Sequence, residues 1–193
     1  SKHRLPVAPN LLDRRFAVAA PNKAWVTDIT YIATDEGWLY LAVVIDCFSR
    51  RVVGWSIADH IRSELVVDAL QMAIWHRRPE PGTVHHSDHG SVYTSWAFGH
   101  RLREAGLLGS MGTIGDCFDN SVAESFFATL QTELLDRSTW PTREGLANAI
   151  FAFIEGFYNP TRRHSTLGYL SPADYEAQHV LIGPAGPQTE NAA

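Results

Sequence analysis

The sequence predicts an α/β fold in which a mixed five-stranded sheet, with three antiparallel strands followed by parallel ones, carries helices on both faces. Two observations support this prediction. Three β-rich segments near the start of the chain are joined by short turns, and the later segments alternate between helical and extended patterns. Short turns join antiparallel neighbours, whereas a helical crossover returns the chain parallel to an earlier strand. One sheet should therefore contain both kinds of pairing.

The three antiparallel strands are predicted from runs of β-branched, aromatic and apolar residues. Residues 25–32 are rich in β-branched and aromatic side chains, and residues 38–45 form a near-continuous apolar run. Residues 51–57 form the third strand. Turn residues at 35–37 and 49–50 separate these runs, so the three strands should form a meander.

Helices and two shorter strands account for most of the remaining chain. Residues 63–76 place apolar side chains at helical spacing, with Ser63 as a candidate N-cap. The further predicted elements are a strand over 83–86, a helix over 95–105, a strand over 107–110, and helices over 120–136 and 142–158. The sequence thus divides into a basic arm or linker over 1–23, a core over 24–178 and a flexible tail over 179–193.

Composition indicates a globular protein of ordinary size, and its charge is unevenly distributed. The 193 residues carry a net charge of −5, and the two cysteines form neither a disulfide framework nor a thiolate zinc site. No apolar run approaches the roughly 20 residues that span a bilayer. Residues 1–23 carry a net charge of +4 and the remainder −9. Such an acidic body would need metal cations, and basic clusters elsewhere, to approach nucleic-acid phosphates.

Three carboxylates stand at positions where a structural role explains each one only separately. Asp28 lies within the first strand, Asp88 directly after the fourth, and Glu124 in the first turn of a long helix. Asp28 could pair with a buried arginine, and Asp88 could be a turn residue before Gly90. Glu124 could complete a capping box with Ser121. Binding of a divalent metal explains all three at once, because hard cations prefer carboxylate oxygens.

Two other polar groups are interpreted as structural. Asp46 ends the second strand, where it would pair with Arg50 or Arg51 or shape the turn. A zinc site in the histidine-rich segment 85–89 is disfavoured, because alternate residues of an extended strand point to opposite faces. Its His86 and Asp88 would then face one way and its other two histidines the other, so they could not converge on one ion.

Several motifs together resemble the integrase catalytic core shared by retroviral integrases and DDE transposases. Within that group they are most similar to the OrfB-type transposases of a bacterial insertion-sequence family. Thirty-five residues separate Asp88 from Glu124, which is the acidic spacing of that family. The matching motifs are Trp25-Val-Thr-Asp28-Ile-Thr-Tyr31, Val44-Ile-Asp46-Cys-Phe-Ser49-Arg50, His86-Ser-Asp88-His-Gly90-Ser-Val-Tyr93-Thr-Ser95, Gly115-Asp-Cys-Phe-Asp119-Asn120, Ala123-Glu124-Ser-Phe-Phe127, Tyr158-Asn159 and Arg163-His164-Ser165-Thr-Leu167-Gly168-Tyr169-Leu-Ser171-Pro172.

The resemblance implies a ribonuclease H-like fold and a transposase that cleaves DNA and transfers its strands by in-line phosphodiester attack. Asp28, Asp88 and Glu124 would be the catalytic residues and would hold two Mg²⁺ or Mn²⁺ ions. The implied partners are transposon ends, target DNA and a second copy of the chain, together with an upstream helix-turn-helix domain. The implied location is the bacterial cytoplasm, at the nucleoid, with no membrane association.

One position departs from the family pattern, and two other functions remain open. Gln131 stands where the family often carries Lys or Arg, so a phosphate contact there would lack a charge. The other candidate DNA contacts are Asn120, Arg162, Arg163 and His164. The alternatives are another metal nuclease of this fold, such as a ribonuclease H or a junction resolvase, and a non-catalytic remnant that binds DNA or a partner.

Overall fold

A computed structural model describes residues 8–12, 17–112 and 120–182 and confirms the predicted mixed sheet. Parts of the predicted arm, tail and glycine-rich loop near 109–115 lie outside these residues. The strands are β1 (Ala24–Thr34), β2 (Gly37–Asp46), β3 (Val52–Ala58), β4 (Val84–Ser87) and β5 (Leu108–Met111). Their order in the sheet is β3-β2-β1-β4-β5.

Strand β1 lies at the centre of the sheet, where antiparallel and parallel pairing meet. It pairs antiparallel with β2, which pairs antiparallel with β3. On its other side β1 pairs parallel with β4, and β4 pairs parallel with β5. Asp28 lies opposite Val43 in the β1–β2 ladder, beyond the three β1 residues that pair with β4. The end of β4, where Asp88 follows, therefore points toward the same part of the sheet as Asp28.

The helices agree with the prediction in order, and several boundaries differ. They are α1 (Ser63–Arg77), α2 (Trp96–Glu104), α3 (Ser121–Glu133), α4 (Arg143–Phe151) and α5 (Pro172–Ile182). A 3₁₀ turn follows α3, and α4 continues as a π-helical segment over Ala152–Tyr158. Ser63 is the first residue of α1 rather than its cap. The sequence analysis did not predict α5. No helix within the described residues is long and apolar enough to cross a membrane.

Helices cover both faces of the sheet, as predicted, and each face has its own apolar core. On one face, Trp25 packs with the apolar stripe of α1 and with Phe98 of α2. On the other face, Val26 packs with Phe126 of α3 and Ile150 of α4. Adjacent residues of β1 thus enter different cores, as the alternation of side chains along a strand requires.

Helix α1 packs directly against β3 because Gly54 has no side chain. A Cβ atom at Gly54 would lie only 2.2 Å from the carbonyl oxygen of Ala69 and 2.8 Å from the Cβ of Ala73. Any larger residue would push the helix away from the sheet. Close contact at this point fixes α1, and with it Arg77 at the helix end.

Asp46 is structural, as predicted, although its cationic partner was predicted wrongly. Its carboxylate accepts hydrogen bonds from the main-chain N–H groups of Asn22 (2.8 Å) and Phe48 (3.0 Å), so it does shape the turn. The side chain that pairs with it is Arg77 (3.1 Å) rather than Arg50 or Arg51. Arg77 also pairs with Glu176 of α5 at 2.8 Å, which attaches the C-terminal helix to the sheet.

Candidate active site

Asp28 is half-buried on the face of the sheet that α3 covers. One carboxylate oxygen accepts a hydrogen bond from the main-chain N–H of Ile29 at 2.8 Å. Burial, together with the smaller effect of the charges of Asp88 and Glu124, raises the pKa of Asp28 to about 6 against the opposing effect of that hydrogen bond. Within the described residues, no Lys or Arg lies within salt-bridge distance of Asp28. The alternative of a buried arginine partner is therefore wrong for this part of the chain.

Asp88 does form the predicted turn, and it leaves its side chain exposed at the end of β4. Its Oδ1 accepts a hydrogen bond from the main-chain N–H of Gly90 at 2.8 Å. A Cβ atom at Gly90 would lie 2.8 Å from the same oxygen and 3.4 Å from the ring of Tyr93. Gly90 thus allows the turn to close against the carboxylate. The structural interpretation is correct, and it is compatible with a ligand role, because the second carboxylate oxygen is not used by the turn.

Glu124 is exposed in the first turn of α3, and the capping-box alternative is wrong. The helix begins at Ser121, with Asn120 in the position before it, and Asn120 makes no side-chain cap. Ser121 therefore lies one residue too far along to be the capping residue that a box with Glu124 requires. Buried Val122, Ala123 and Phe126 turn α3 toward the sheet and leave Glu124 at the edge of that contact.

The structure brings the three predicted carboxylates within electrostatic reach of one another. The charges of Asp88 and Glu124 both act on Asp28. Burial is the main cause of the raised pKa of Tyr93, and the charges of Asp28 and Asp88 add to it. No group of three His, Cys, Asp or Glu side chains within the described residues is arranged to hold one metal ion. Mg²⁺ in phosphoryl-transfer sites usually binds one or two carboxylates and keeps several waters. Three carboxylates are therefore enough if two ions share them.

The predicted DNA-contact residues at the C-terminal end of the core contact one another, α3 and Tyr158 of the π-helical segment. Arg162 pairs with Glu133 at 2.8 Å through a two-pronged hydrogen-bonded contact. Burial lowers the pKa of His164 to about 4, and its ring packs edge-on against Tyr158. Arg163 is exposed. No contact found among the described residues joins this group to the three carboxylates.

Gln131 is exposed on α3 and is already engaged by a neighbour. Its amide donates a hydrogen bond to the carboxylate of Asp136, in the 3₁₀ turn that follows the helix. The position therefore presents a neutral side chain beside an acidic one. A phosphate approaching it would meet less positive potential than a Lys or Arg would provide.

Two residues that the sequence analysis did not select lie beside the carboxylates. Thr27 is buried, and its hydroxyl donates to the carbonyl of Val43 at 2.7 Å and lies 3.5 Å from the hydroxyl of buried Tyr93. The amide nitrogen of Asn120, which was selected as a DNA contact, donates to the carbonyl of Thr27 at 3.3 Å. Tyr93 occurs in the motif that follows Asp88, which was the available signal. Thr27 looks like any other strand threonine.

The two neighbouring histidines of β4 take separate partners. His86 contacts the hydroxyl of Ser110 in β5 at 2.8 Å. The buried ring of His85 packs edge-on against Phe98, and burial lowers its pKa to about 3. These different partners agree with the prediction that adjacent side chains of this strand point to opposite faces.

Two family models cover most of the chain, and both describe an integrase core domain. The first matches residues 18–117 and the second residues 124–180. Transposase InsF for insertion sequence IS3fB of Escherichia coli K12 is 45% identical over 178 residues, which are 92% of this chain and 62% of the relative. The insertion element IS600 uncharacterized 31 kDa protein of Shigella sonnei is 44% identical over 179 residues, 93% of this chain and 66% of the relative. The chain thus spans about 62% of the length of the Escherichia coli relatives it matches.

Solved structures of low sequence identity share the fold. A chain of the simian T-cell lymphotropic virus intasome, in complex with PP2A regulatory subunit B56 gamma, aligns with a TM-score of 0.71 at 18% identity, over 100% of this chain and 65% of that chain. The HTLV-2 integrase catalytic core domain in complex with magnesium aligns with a TM-score of 0.59 at 19% identity, over 83% of this chain and 98% of that chain. The fold is therefore the ribonuclease H-like fold that the sequence predicted.

The strand order of the sheet agrees with the family models and with the relatives, because all of them indicate an integrase core. The chain belongs to the integrase core domain family and is about 45% identical to insertion-sequence transposases of the InsF type.

Proposed function

We propose that this chain is the catalytic core of a transposase that cleaves DNA and joins its strands, with Asp28, Asp88 and Glu124 as ligands of two Mg²⁺ or Mn²⁺ ions. The observation that carries the proposal is the meeting of three acidic side chains from β1, the end of β4 and α3, with no basic side chain among the described residues to neutralise them. Such an arrangement is electrostatically unfavourable unless a cation binds it.

The three residues differ in exposure, and this difference suits the proposed role. Asp28 is half-buried, so its carboxylate would be a ligand of restricted mobility. Asp88 and Glu124 are exposed and would approach the substrate side. Two divalent ions held there would activate a water or a 3′-hydroxyl and stabilise the leaving oxygen of the phosphodiester. The side chains themselves would hold and orient, and none would form a covalent bond to DNA.

The partners follow from the proposed reaction. InsF is named a transposase, and the simian viral neighbour is part of an intasome. By this likeness we propose that the chain acts on transposon ends and target DNA, as a dimer or larger assembly. An upstream helix-turn-helix domain would recognise the ends, and Asn120, Gln131, Arg162, Arg163 and His164 would contact flanking DNA. For Arg162 this contact would compete with its pairing to Glu133.

The test compares metal-dependent DNA cleavage by the wild type, Glu124→Gln and a matched control, Glu144→Gln. Glu144 is also exposed and lies in the first turn of another helix, α4. Each protein is incubated with a labelled DNA duplex and Mg²⁺ or Mn²⁺, and nicked and strand-joined products are resolved on a denaturing gel. Products from the wild type and from Glu144→Gln, with at least a hundredfold loss in Glu124→Gln, are expected from losing a metal ligand.

Calorimetric titration with Mn²⁺ gives a second measurement that does not need the correct DNA ends. The wild type and Glu144→Gln should bind Mn²⁺ equally, and Glu124→Gln should bind it more weakly. Equal binding by all three proteins, or none by the wild type, would contradict the proposed site and favour the non-catalytic alternative.

A further inference from the structure

The three segments that carry the carboxylates are joined by polar side chains that are not themselves acidic. Asn120 lies four residues before Glu124, Thr27 lies next to Asp28, and Tyr93 lies five residues after Asp88. These three residues are buried or half-buried beside the site, whereas Asp88 and Glu124 are exposed.

Asn120 occupies the position before α3 and yet does not cap the helix. Asparagine is among the preferred residues there because its side-chain oxygen can accept from the first free N–H groups. In the described part of the chain that oxygen makes no cap, and it is buried with no hydrogen-bond partner among those residues. A buried acceptor without a donor is unfavourable, so the side chain is held by its other end.

The other end of Asn120 faces β1. Its Nδ2 donates to the main-chain carbonyl of Thr27 at 3.3 Å, and a side-chain hydrogen bond from Asn120 also lowers the pKa of Asp28 against the larger effect of burial. Exchanging the amide oxygen and nitrogen would place the oxygen against a carbonyl and a carboxylate, which would repel it. The orientation is therefore fixed by chemistry, and Asn120 connects the start of the Glu124 helix to the strand of Asp28.

Thr27 continues the connection toward Asp88. Its hydroxyl donates to the carbonyl of Val43 in β2, which fixes the rotamer, and lies 3.5 Å from the hydroxyl of Tyr93. Tyr93 is buried between Thr27 and Phe98, and the centroids of the Tyr93 and Phe98 rings are 5.3 Å apart. Its main-chain N–H donates to the carbonyl of Gly90 at 3.0 Å, and the N–H of Gly90 donates to the carboxylate of Asp88. The contacts thus run from Asn120 through Thr27 and Tyr93 to the turn that holds Asp88.

We propose that Asn120, Thr27 and Tyr93 form a positioning chain that fixes the separation of the three carboxylates before any cation binds. The inference rests on the proposed metal site. Packing of α3 on β1 and the pairing of β1 with β4 hold the backbones of these segments together. The polar contacts of the chain would add a restraint at the start of α3 and at the Asp88 turn, against the repulsion of three like charges. In this role none of the three residues touches the metal. They act on the metal through the segments that they hold, as outer-shell partners do in other metal sites.

The experiment measures Mn²⁺ affinity by calorimetry in the absence of DNA. Asn120→Ala should weaken Mn²⁺ binding roughly tenfold, which is the low end of the effect of losing an outer-shell partner. The matched control is Asn159→Ala. Asn159 also ties a helical segment to a strand, with its amide bonded to the main-chain N–H and carbonyl of Val52 at 2.9 Å, but it does so at β3, away from the carboxylates. Its loss should lower the unfolding temperature and leave Mn²⁺ affinity unchanged.

Two further pairs of variants test the link between Thr27 and Tyr93 and do not depend on the folding of Asn120→Ala. Tyr93→Phe removes only the hydroxyl and should weaken Mn²⁺ binding about two- to fivefold, the range for losing one modest hydrogen bond. Tyr158→Phe makes the same change at another buried tyrosine and should have no such effect. Thr27→Val removes the other hydroxyl and should weaken Mn²⁺ binding as much as Tyr93→Phe does. Thr27→Ser keeps the hydroxyl and should bind Mn²⁺ like the wild type.

The outcomes separate this inference from the proposed function. Weaker Mn²⁺ binding by Asn120→Ala and Tyr93→Phe, with unchanged affinity in both controls, supports the positioning chain. Wild-type affinity in Asn120→Ala and Tyr93→Phe, together with weakened binding in Glu124→Gln, overturns the chain and leaves the metal site intact. Absence of Mn²⁺ binding by the wild type overturns both.

Discussion

Two acidic clusters lie within this small domain, and they are built in opposite ways. In the first, Asp46 and Glu176 are nearly inaccessible and are met by Arg77, with Arg51 adding a 3.0 Å contact to Glu176. Hydrogen bonds and charge from Arg77 lower the pKa of Glu176 in spite of burial, whereas burial outweighs the charge of Arg77 and raises the pKa of Asp46. In the second cluster, Asp28, Asp88 and Glu124 meet without a cation among the described residues, and the pKa of Asp28 is raised.

The difference agrees with a structural role for the first cluster and with the metal-binding role proposed for the second. A buried carboxylate that the chain neutralises itself joins parts of the fold, here the turn after β2, the end of α1 and helix α5. A cluster of carboxylates without a counter-charge costs stability, and a fold retains it where an external cation or substrate completes it. His85 represents a third case, because it is buried with neither a counter-charge nor a bound partner and stays neutral.

The largest expected effect comes from removing the cation of the first cluster. Arg77→Met leaves Asp46 and Glu176 buried without their partner and should lower the free energy of unfolding by about 3–5 kcal/mol. Chemical denaturation measures it. Arg78→Met, which changes the exposed neighbouring arginine, serves as the control and should cost far less. A loss below about 1 kcal/mol in Arg77→Met would show that the cluster does not hold α5 to the sheet.

The next effect is a pH dependence that comes from His85. Burial lowers its pKa to about 3 from the ordinary value of 6.5, so the unfolded chain binds a proton in a pH range where the folded chain does not. The free energy of unfolding should therefore be highest above pH 6.5 and fall as the pH falls from 6.5 toward 3. At pH 5 this one group accounts for a loss of about 2 kcal/mol.

His85→Leu should remove that part of the pH dependence. The measurement is the difference in the free energy of unfolding between pH 7.5 and pH 5, in the wild type and in the variant. The difference should be about 2 kcal/mol smaller in the variant. An equal difference in both proteins would mean that His85 is protonated in the folded state, which would require an acceptor near its ring.

The sequence predicted the sheet well because its signals are local. Strand and helix patterns, and the short turns of the meander, depend on neighbouring residues, and the motifs around Asp28 and Asp88 are continuous. What it did not predict depends on residues far apart in the chain. Asp46 was assigned to adjacent arginines, whereas its partner Arg77 is 31 positions away. Helix α5 is held by contacts of Glu176 with residues 99 to 127 positions earlier.

The surroundings of the candidate site show the same limit. The three carboxylates could be selected because metal binding explains them together and because each lies within a matching motif. Thr27 and Tyr93 could not, because a threonine and a tyrosine are ordinary in and beside strands. Asn120 was interpreted as a DNA contact, since nothing local indicates that its amide turns back toward the carbonyl of Thr27.

The smallest effect has the opposite sign to the first and tests the comparison most directly. Asp28→Asn removes the half-buried charge that Asp88 and Glu124 repel, while an amide oxygen can still accept from the N–H of Ile29. In metal-free buffer at pH 8 the free energy of unfolding of the variant should be about 1 kcal/mol higher than that of the wild type. This value is smaller than the free energy that corresponds to the full pKa shift, because Asp28 is partly exposed and solvent screens its charge. Glu176→Gln, the corresponding amide in the neutralised cluster, should be less stable, because Arg77 and Ser49 both bond its carboxylate. Thermal unfolding with EDTA measures both.

Adding Mn²⁺ should then raise the unfolding temperature of the wild type and of Glu176→Gln more than that of Asp28→Asn, because only Asp28→Asn has lost a proposed ligand. Destabilisation by Asp28→Asn without metal would mean that Asp28 has a cationic partner in the folded protein, and the two clusters would then be alike.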